Sequence, residues 1–212
     1  LTQRYIEVVP AARRQQKDRT AATRAAVLEA TVELLVERGY SGTSTRLAAE
    51  RAGVSLGALQ HHFPTKAGLS VEALRFVTAR LASEFVASTR ESQDAQDTFA
   101  AILDRLYVVF RGPTFAAAVE IHLASRTDEA LQGPVRDLNR DIDTLIRESA
   151  ESLMPGMAGY PGFPSILQTS VSAVRGLALT AMDPAADREE EWQMVRTHLL
   201  ELADRMIAEG AA

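Results

Sequence analysis

The sequence predicts an all-α chain in which a small three-helix N-terminal unit precedes a larger helical bundle, and three observations carry that expectation. Residues 45–66, TRLAAERAGVSLGALQHHFPTK, read as two short helices joined by a tight Gly-containing turn. Apolar residues recur at intervals of three and four in the segments that follow. No apolar/polar alternation of period two is long enough to demand a sheet, and no internal repeat or low-complexity tract occurs. With 212 residues, 46% of them hydrophobic, the chain can bury a sizeable core in one large or two small domains.

Taken in order, residues 1–19 read as a flexible basic arm. Arg13, Arg14, Lys17 and Arg19, with Arg24 just beyond, stand against a single Asp18. Such an arm either follows a nucleic-acid backbone or minor groove, or is an ordinary disordered terminus whose charges aid solubility. A helix from Thr20 to Arg38 carries Val27, Thr31, Leu34 and Leu35 on one face and packs on the next two. Gly39 ends it as a left-handed cap, and Ser44, in competition with Thr43, caps the helix after it.

Within Thr45 to Ala52, the side chains of Leu47, Ala48, Ala49 and Ala52 let a second helix approach closely, with Ala49 at the crossing. Gly53 permits the left-handed backbone of a sharp turn, Val54 fills the space between the helices, and Ser55 caps the helix Leu56 to His62. Leu59 and Phe63, four apart, form its inward face. Leu56, Gly57, Ala58, Gln60, His61 and His62 are left outward. That set is poor in apolar bulk and rich in small groups and donors, as a rod seated in a major groove about 12 Å wide requires. The unit therefore reads as a helix-turn-helix that binds double-stranded DNA.

Charge distribution supports this reading. The net charge is −5, but residues 1–66 hold ten Lys and Arg against six Asp and Glu, whereas residues 67–212 hold thirteen against twenty-two. A basic end suits phosphates, and an acidic remainder orients the molecule on them.

These residues resemble the DNA-binding domain of the tetracycline-repressor (TetR) family of transcriptional regulators. The resemblance rests on Glu37-Arg38-Gly39-Tyr40, Gly42-Thr43-Ser44-Thr45, Ala52-Gly53-Val54-Ser55-x-Gly57-x-Leu59 and His62-Phe63-Pro64-x-Lys66, and covers roughly residues 20–85. One departure is Gln60, where members often carry a Tyr; an amide there can pair with adenine. The candidate DNA-contacting set is Arg24, Ser44, Thr45, Arg46, Ser55, Leu56, Gly57, Ala58, Gln60, His61, His62 and Lys66. Lys66, after the capping Thr65, is placed for a phosphate contact or is a plain surface lysine. Adjacent His61 and His62 point about 100° apart on a helix and cannot share a metal without outside ligands.

The division expected is an arm over 1–19, a helix-turn-helix domain over 20–66, and a ligand-binding and dimerisation domain over 67–212. A fourth helix should start near Thr65 and pass Phe85, with Leu74, Val77, Leu81 and Phe85 as one stripe. Helices over Asp94–Arg111 and Phe115–Ser125 flank a break at Gly112-Pro113, and Asp128–Leu153 carries a break or new start at Gly133-Pro134. Pro155 to Pro164, with three prolines and three glycines, is the clearest loop.

Two closing helices read as an association surface. Leu167, Val171, Val174, Ala178 and Ala181 interleave with small Ser170, Ala173 and Gly176. Trp192, Val195, Leu199, Leu202 and Met206 recur after a capping box at Asp187 and Glu190. The stripe is either an intrachain core or half of an intermolecular four-helix bundle. The motif favours a homodimer, since two-fold symmetry sets two reading helices about 34 Å apart on a palindromic site. The family resemblance implies the same bundle.

An effector cavity in the body has as candidates Leu103, Tyr107, Phe110, Phe115, Val119, His122 and Arg175, apolar walls with a few polar groups; most of them serve equally as core. Little else suggests chemistry. Glu120 and His122 lie about 200° apart on a helix, Asp137 and Asp141 alternate with Arg136 and Arg140, and neither a phosphate-cradling loop nor a nucleophile elbow is present. Zero cysteines exclude disulfides and thiolate zinc sites. No cofactor or metal is expected, no apolar run approaches the roughly 20 residues of a membrane span, and a cytoplasmic address is the default.

The expectation is a dimeric, ligand-responsive transcriptional regulator, most often a repressor in the family it resembles. The rivals are a sequence-independent architectural DNA protein and a helical small-molecule module or enzyme with a vestigial head.

Overall fold

The computed structural model describes residues 11–89, 95–180 and 188–210. The first ten residues of the expected arm, Asp94, Ala181 and Asp187 of the expected capping box lie outside them. Every regular element described is helical. They are α1 (Ala11–Gly42), α2 (Thr45–Ala52), α3 (Leu56–His62), α4 (Lys66–Thr89), α5 (Ala95–Phe110), α6 (Pro113–Ala124), α7 (Glu129–Leu153), α8 (Pro155–Ala158), α9 (Phe163–Thr180) and α10 (Glu189–Gly210). The chain divides into two compact units, residues 1–73 and 74–212.

In the first unit α1 presents Val27, Leu28, Thr31, Leu34 and Leu35 to a core completed by Ala48, Ala49, Leu59, Phe63 and Leu69. Burying a Leu or Phe contributes about 1.5–3 kcal/mol each, so this small core rests on a handful of side chains. Thr31 stays satisfied there because its hydroxyl donates to the Val27 carbonyl at 2.7 Å. The helix begins at Ala11, nine residues before the expected start, so residues 11–19 are helical rather than a flexible arm. The stretch AARRQQK is built from strong helix formers, and its positive charge is no obstacle to a helix.

Gly39 has φ 68° and ψ 179°, a kink in a left-handed extended region open essentially to Gly, and not the αL cap expected. The first turns of α4 belong to this unit, which extends to Ala73 rather than ending at Lys66. Ala67, Leu69, Ser70, Val71 and Ala73 are buried, and Glu72 accepts from Arg24 of α1 at 2.5 Å.

The second unit is a bundle whose core runs through Phe99, Leu103 and Tyr107 of α5, Phe163, Leu167 and Val171 of α9, and Trp192, Leu199 and Ala203 of α10. Arg196 Nε and Nη2 donate to the two carboxylate oxygens of Asp104 at 2.8 and 3.0 Å, fixing α10 against α5. The break falls at Gly112 as expected, and Pro113 takes the first position of α6, two residues before the expected start at Phe115.

Two sequence expectations are corrected here. Pro134 lies inside α7, early in the helix, where its missing N–H forfeits one bond, to Ala130, without ending the helix. Pro155 to Pro164 is not all loop, since Pro155 starts the single turn of α8 and carries Met157 into the core.

Candidate nucleic-acid interface and body cavity

The turn between α2 and α3 is three residues, Gly53 to Ser55, and a serine caps each of the two helices. Ser44 accepts from the Leu47 N–H at 3.2 Å and caps α2, leaving Thr43 to be buried with its hydroxyl on the Gly39 carbonyl at 2.8 Å. Gly53 (φ 68°, ψ 28°) turns the chain in the αL region, and the Val54 N–H returns to the Ala49 carbonyl at 3.0 Å. Ser55 then accepts from the Ala58 N–H at 3.2 Å and opens α3.

Leu59 on α3 and Phe63 just after it are buried in the core, while Leu56, Gly57, Ala58, Gln60 and His61 are exposed and His62 is half-buried. One face of a seven-residue rod is thus solvent-facing along its length. The rings of His61 and His62 meet edge to face at 5.4 Å. No group of three His, Cys, Asp or Glu able to hold a metal occurs among the described residues.

The flanking cations are differently placed. Arg46 is exposed and shares Glu50 at 2.9 Å, an ion pair that solvent weakens and phosphate can displace. Lys66 hangs over the Tyr40 ring at 4.2 Å and donates to the Ser41 carbonyl at 3.4 Å, which holds its ammonium at the end of α1. Arg24 is held by Glu72 and by the face of Phe63, 5.6 Å from its centroid, so it supports the unit as well as carrying charge. Thr45 is half-buried at the start of α2.

The second unit holds a cavity of about 140 Å³ between α4, α5, α6 and α7. Leu81 and Phe85 of α4, Leu106, Val109 and Phe110 of α5, Phe115 of α6 and Ile146 of α7 form its apolar wall. Arg105, Thr78, Thr114 and Ser149 are the polar residues on it. Of the expected pocket residues, Phe110 and Phe115 line this space and pack ring on ring at 4.9 Å.

The other expected pocket residues stand elsewhere. Leu103 is core, Tyr107 stacks on Trp192, Val119 does not line the cavity and His122 is exposed. Arg175 pairs with Asp143 at 3.3 Å and lies 5.4 Å from the Phe110 ring centroid. Arg105 and the contribution of α7 were missed, since an amphipathic stripe does not reveal which of its edges lines a void.

Residues 27–73 match the family described as bacterial regulatory proteins, tetR family. Over 190 residues the chain is 30% identical to an uncharacterised HTH-type transcriptional regulator of Mycobacterium tuberculosis, covering 88% of this chain and 97% of the relative. The chain belongs to the TetR family.

Among solved structures, a TetR transcription regulator from Haloarcula marismortui superposes with a TM-score of 0.65 at 18% identity, covering 88% of this chain and 98% of that one. FadR from Bacillus subtilis, in complex with stearoyl-CoA, does so with a TM-score of 0.61 at 14% identity, covering 84% and 96%. As a TetR-family member the chain is a transcriptional regulator with a DNA-binding domain, and not an enzyme. No described helix is long and apolar enough to cross a membrane.

In this TetR-family chain the stripe expected to form the dimer interface faces its own core. Leu167, Val171, Val174, Ala178, Trp192 and Leu199 are buried within the single chain, and Val195 and Met206 are half-buried. Only Leu202 of that set is exposed. The correction is a rotation: periodicity finds the apolar side of α9 and α10, and that side closes the bundle. The free sides carry Gln168, Ser172, Gly176 and Leu179 on α9, and Met194, His198 and Leu202 on α10. Leu179 (48% exposed), Met194 (56%) and Leu202 (41%) are large apolar groups left to solvent there.

Proposed function

We propose that this regulator binds a palindromic operator as a homodimer through α3 and is released from it by a small-molecule effector held in the body cavity, acting as a repressor from within the cytoplasm. One observation carries the reading: α3 exposes an unbroken face of small groups, an amide and imidazoles immediately after a capped αL turn. A single α3 spans only a few base pairs, so specificity calls for two copies on successive major grooves. The exposed apolar groups of α9 and α10 support pairing, and Gly176, where a Cβ would meet nothing within 4 Å, leaves room for a close helix.

Support for ligand response comes from the cavity and from the stearoyl-CoA held by the Bacillus subtilis neighbour. One helix, α4, gives its first turns to the DNA-binding unit and Leu81 and Phe85 to the cavity wall. An effector favouring the off-DNA arrangement shifts the population, and by linkage DNA weakens effector binding by the same factor.

The test is enrichment of bound fragments from the source genome, followed by titration of the selected duplex against random duplex at one salt concentration. A specific-to-random ratio of about 10³ or more is expected. A ratio near one points instead to a sequence-independent architectural protein.

A further inference from the structure

Arg105 is the only charged residue among the described residues lining the body cavity. Its Nε is buried and finds no hydrogen-bond acceptor among the described residues. Other arginines of the same bundle are paired: Arg196 with Asp104, Arg175 with Asp143, Arg147 with Glu151. No Asp or Glu among the described residues lines the cavity. A buried N–H donor without a partner is destabilising, and native chains keep one where something else supplies the acceptor.

We infer that the cavity takes a small apolar carboxylate, its hydrocarbon body against Leu81, Leu106, Val109 and Ile146 and its carboxylate on the Arg105 guanidinium. This rests on the ligand-responsive part of the function proposed above. Charge sets the head group, because a carboxylate both neutralises the guanidinium and accepts its N–H donors in the geometry of the planar fork. Thr78, Thr114 and Ser149 are the other polar residues on the wall. Size sets the body. A space of about 140 Å³ is close to the roughly 150 Å³ apolar void that holds one benzene ring, so a monocyclic aromatic or short branched acid fills it.

Three probes of one shape test this on the full chain by calorimetry and by ligand-induced shifts of the melting temperature: 4-methylbenzoate, the neutral 4-methylacetophenone and the cationic 4-methylbenzylamine. The carboxylate is expected to bind at least tenfold tighter than the ketone, and the amine not at all. Arg105→Met, which keeps length and loses charge, should bring the carboxylate-to-ketone ratio to one or below while the ketone still binds. Arg105→Gln gives the same reading with a donor retained, and Arg105→Lys should keep part of the preference.

Equal binding of carboxylate and ketone by the unmodified chain overturns the assignment. Binding of none of the three does so as well, as does a preference that survives in Arg105→Met or Arg105→Gln. If the chain separates its selected duplex from random DNA yet takes none of the probes, the ligand class fails and the DNA reading stands. If it takes the carboxylate but fails to separate the duplexes, the reverse holds.

Discussion

The rings of Tyr107 on α5 and Trp192 on α10 stack nearly parallel, 8° apart in plane with centroids 4.2 Å apart. Trp192 is the only tryptophan in the chain and is buried within it. This stack makes α10 a wall of its own bundle before any second copy is present. Trp192→Ala should therefore cost about 3–5 kcal/mol of unfolding free energy, the range for deleting a large buried aromatic. Urea unfolding followed by circular dichroism measures it. A loss under about 1 kcal/mol would place the indole at an intermolecular contact instead.

The turn before α3 should be sensitive to backbone rather than to packing. At Gly53 a Cβ would meet nothing within 4 Å, so Gly53→Ala pays only for φ of 68°, about 1–2 kcal/mol. Ser55→Ala removes the α3 cap and should cost about 1 kcal/mol. Thermal unfolding of the two variants and their combination checks both figures, and neighbouring positions leave room for non-additivity.

Much of the first unit was legible in the sequence because its signals are local. Gly53, Ser44, Ser55 and the Leu59/Phe63 pair each fix one backbone or burial state whatever surrounds them. The start of α1 was not, since a run of basic residues says nothing against a helix. Pro134 misled because a Pro early in a helix forfeits one bond that the 25 residues of α7 can spare. The second unit hid more. Periodicity located the apolar sides of α9 and α10 but not what covers them, because a core stripe and an interface stripe share one pattern. Of the cavity expected in the body only Phe110 and Phe115 were placed on its wall, for a related reason: which side of α5, α6 and α7 leaves a void is set by how four helices meet, and Arg105 stands out only once its surroundings are known.

A pH dependence follows from the joint between α1 and α2. Arg51 Nη2 donates to Glu37 Oε2 at 2.7 Å, and this hydrogen bond, aided by the charge of Arg51, holds the Glu37 carboxyl below its ordinary 4.5. A carboxyl lowered on folding contributes stability that is fully present above its unfolded value and is lost as pH falls through its folded one. Melting temperatures of the unmodified chain and Glu37→Gln should thus differ by a constant amount from pH 7 down to about pH 5, and converge as pH drops further below 4.5. The pair is solvent-exposed, so the gap should also shrink in high salt. A gap independent of pH would remove the pair from the account.

The free sides of α9 and α10 give a test of pairing separate from folding. Met194 and Leu202 lie two turns apart on one exposed side of α10. Met194→Arg with Leu202→Arg should leave the helical circular dichroism of the folded chain unchanged, since both side chains are exposed in the single chain, while the melting temperature loses its dependence on protein concentration. Sedimentation velocity should show a dimer for the unmodified chain and a monomer for the double variant, and operator affinity should fall with it. A dimer that survives both substitutions moves the contact elsewhere.

Gln60 and Lys66 separate base reading from phosphate contact. Gln60 is exposed on α3, so Gln60→Ala should leave stability alone and relax preference at one base pair by about 1–3 kcal/mol. Lys66 sits at the start of α4 with its ammonium over Tyr40. Lys66→Ala should weaken selected and random duplex alike and lower the salt slope of binding by about one ion per subunit. It should also cost a few tenths to about 1 kcal/mol of stability through the lost ring contact. Anisotropy titrations across a salt series, on the selected duplex and on variants with one base pair changed, resolve both effects. If Gln60→Ala and Lys66→Ala act alike on selected and random DNA, the amide is not reading a base, and the specificity of α3 must come from His61, His62 or the shape of the duplex.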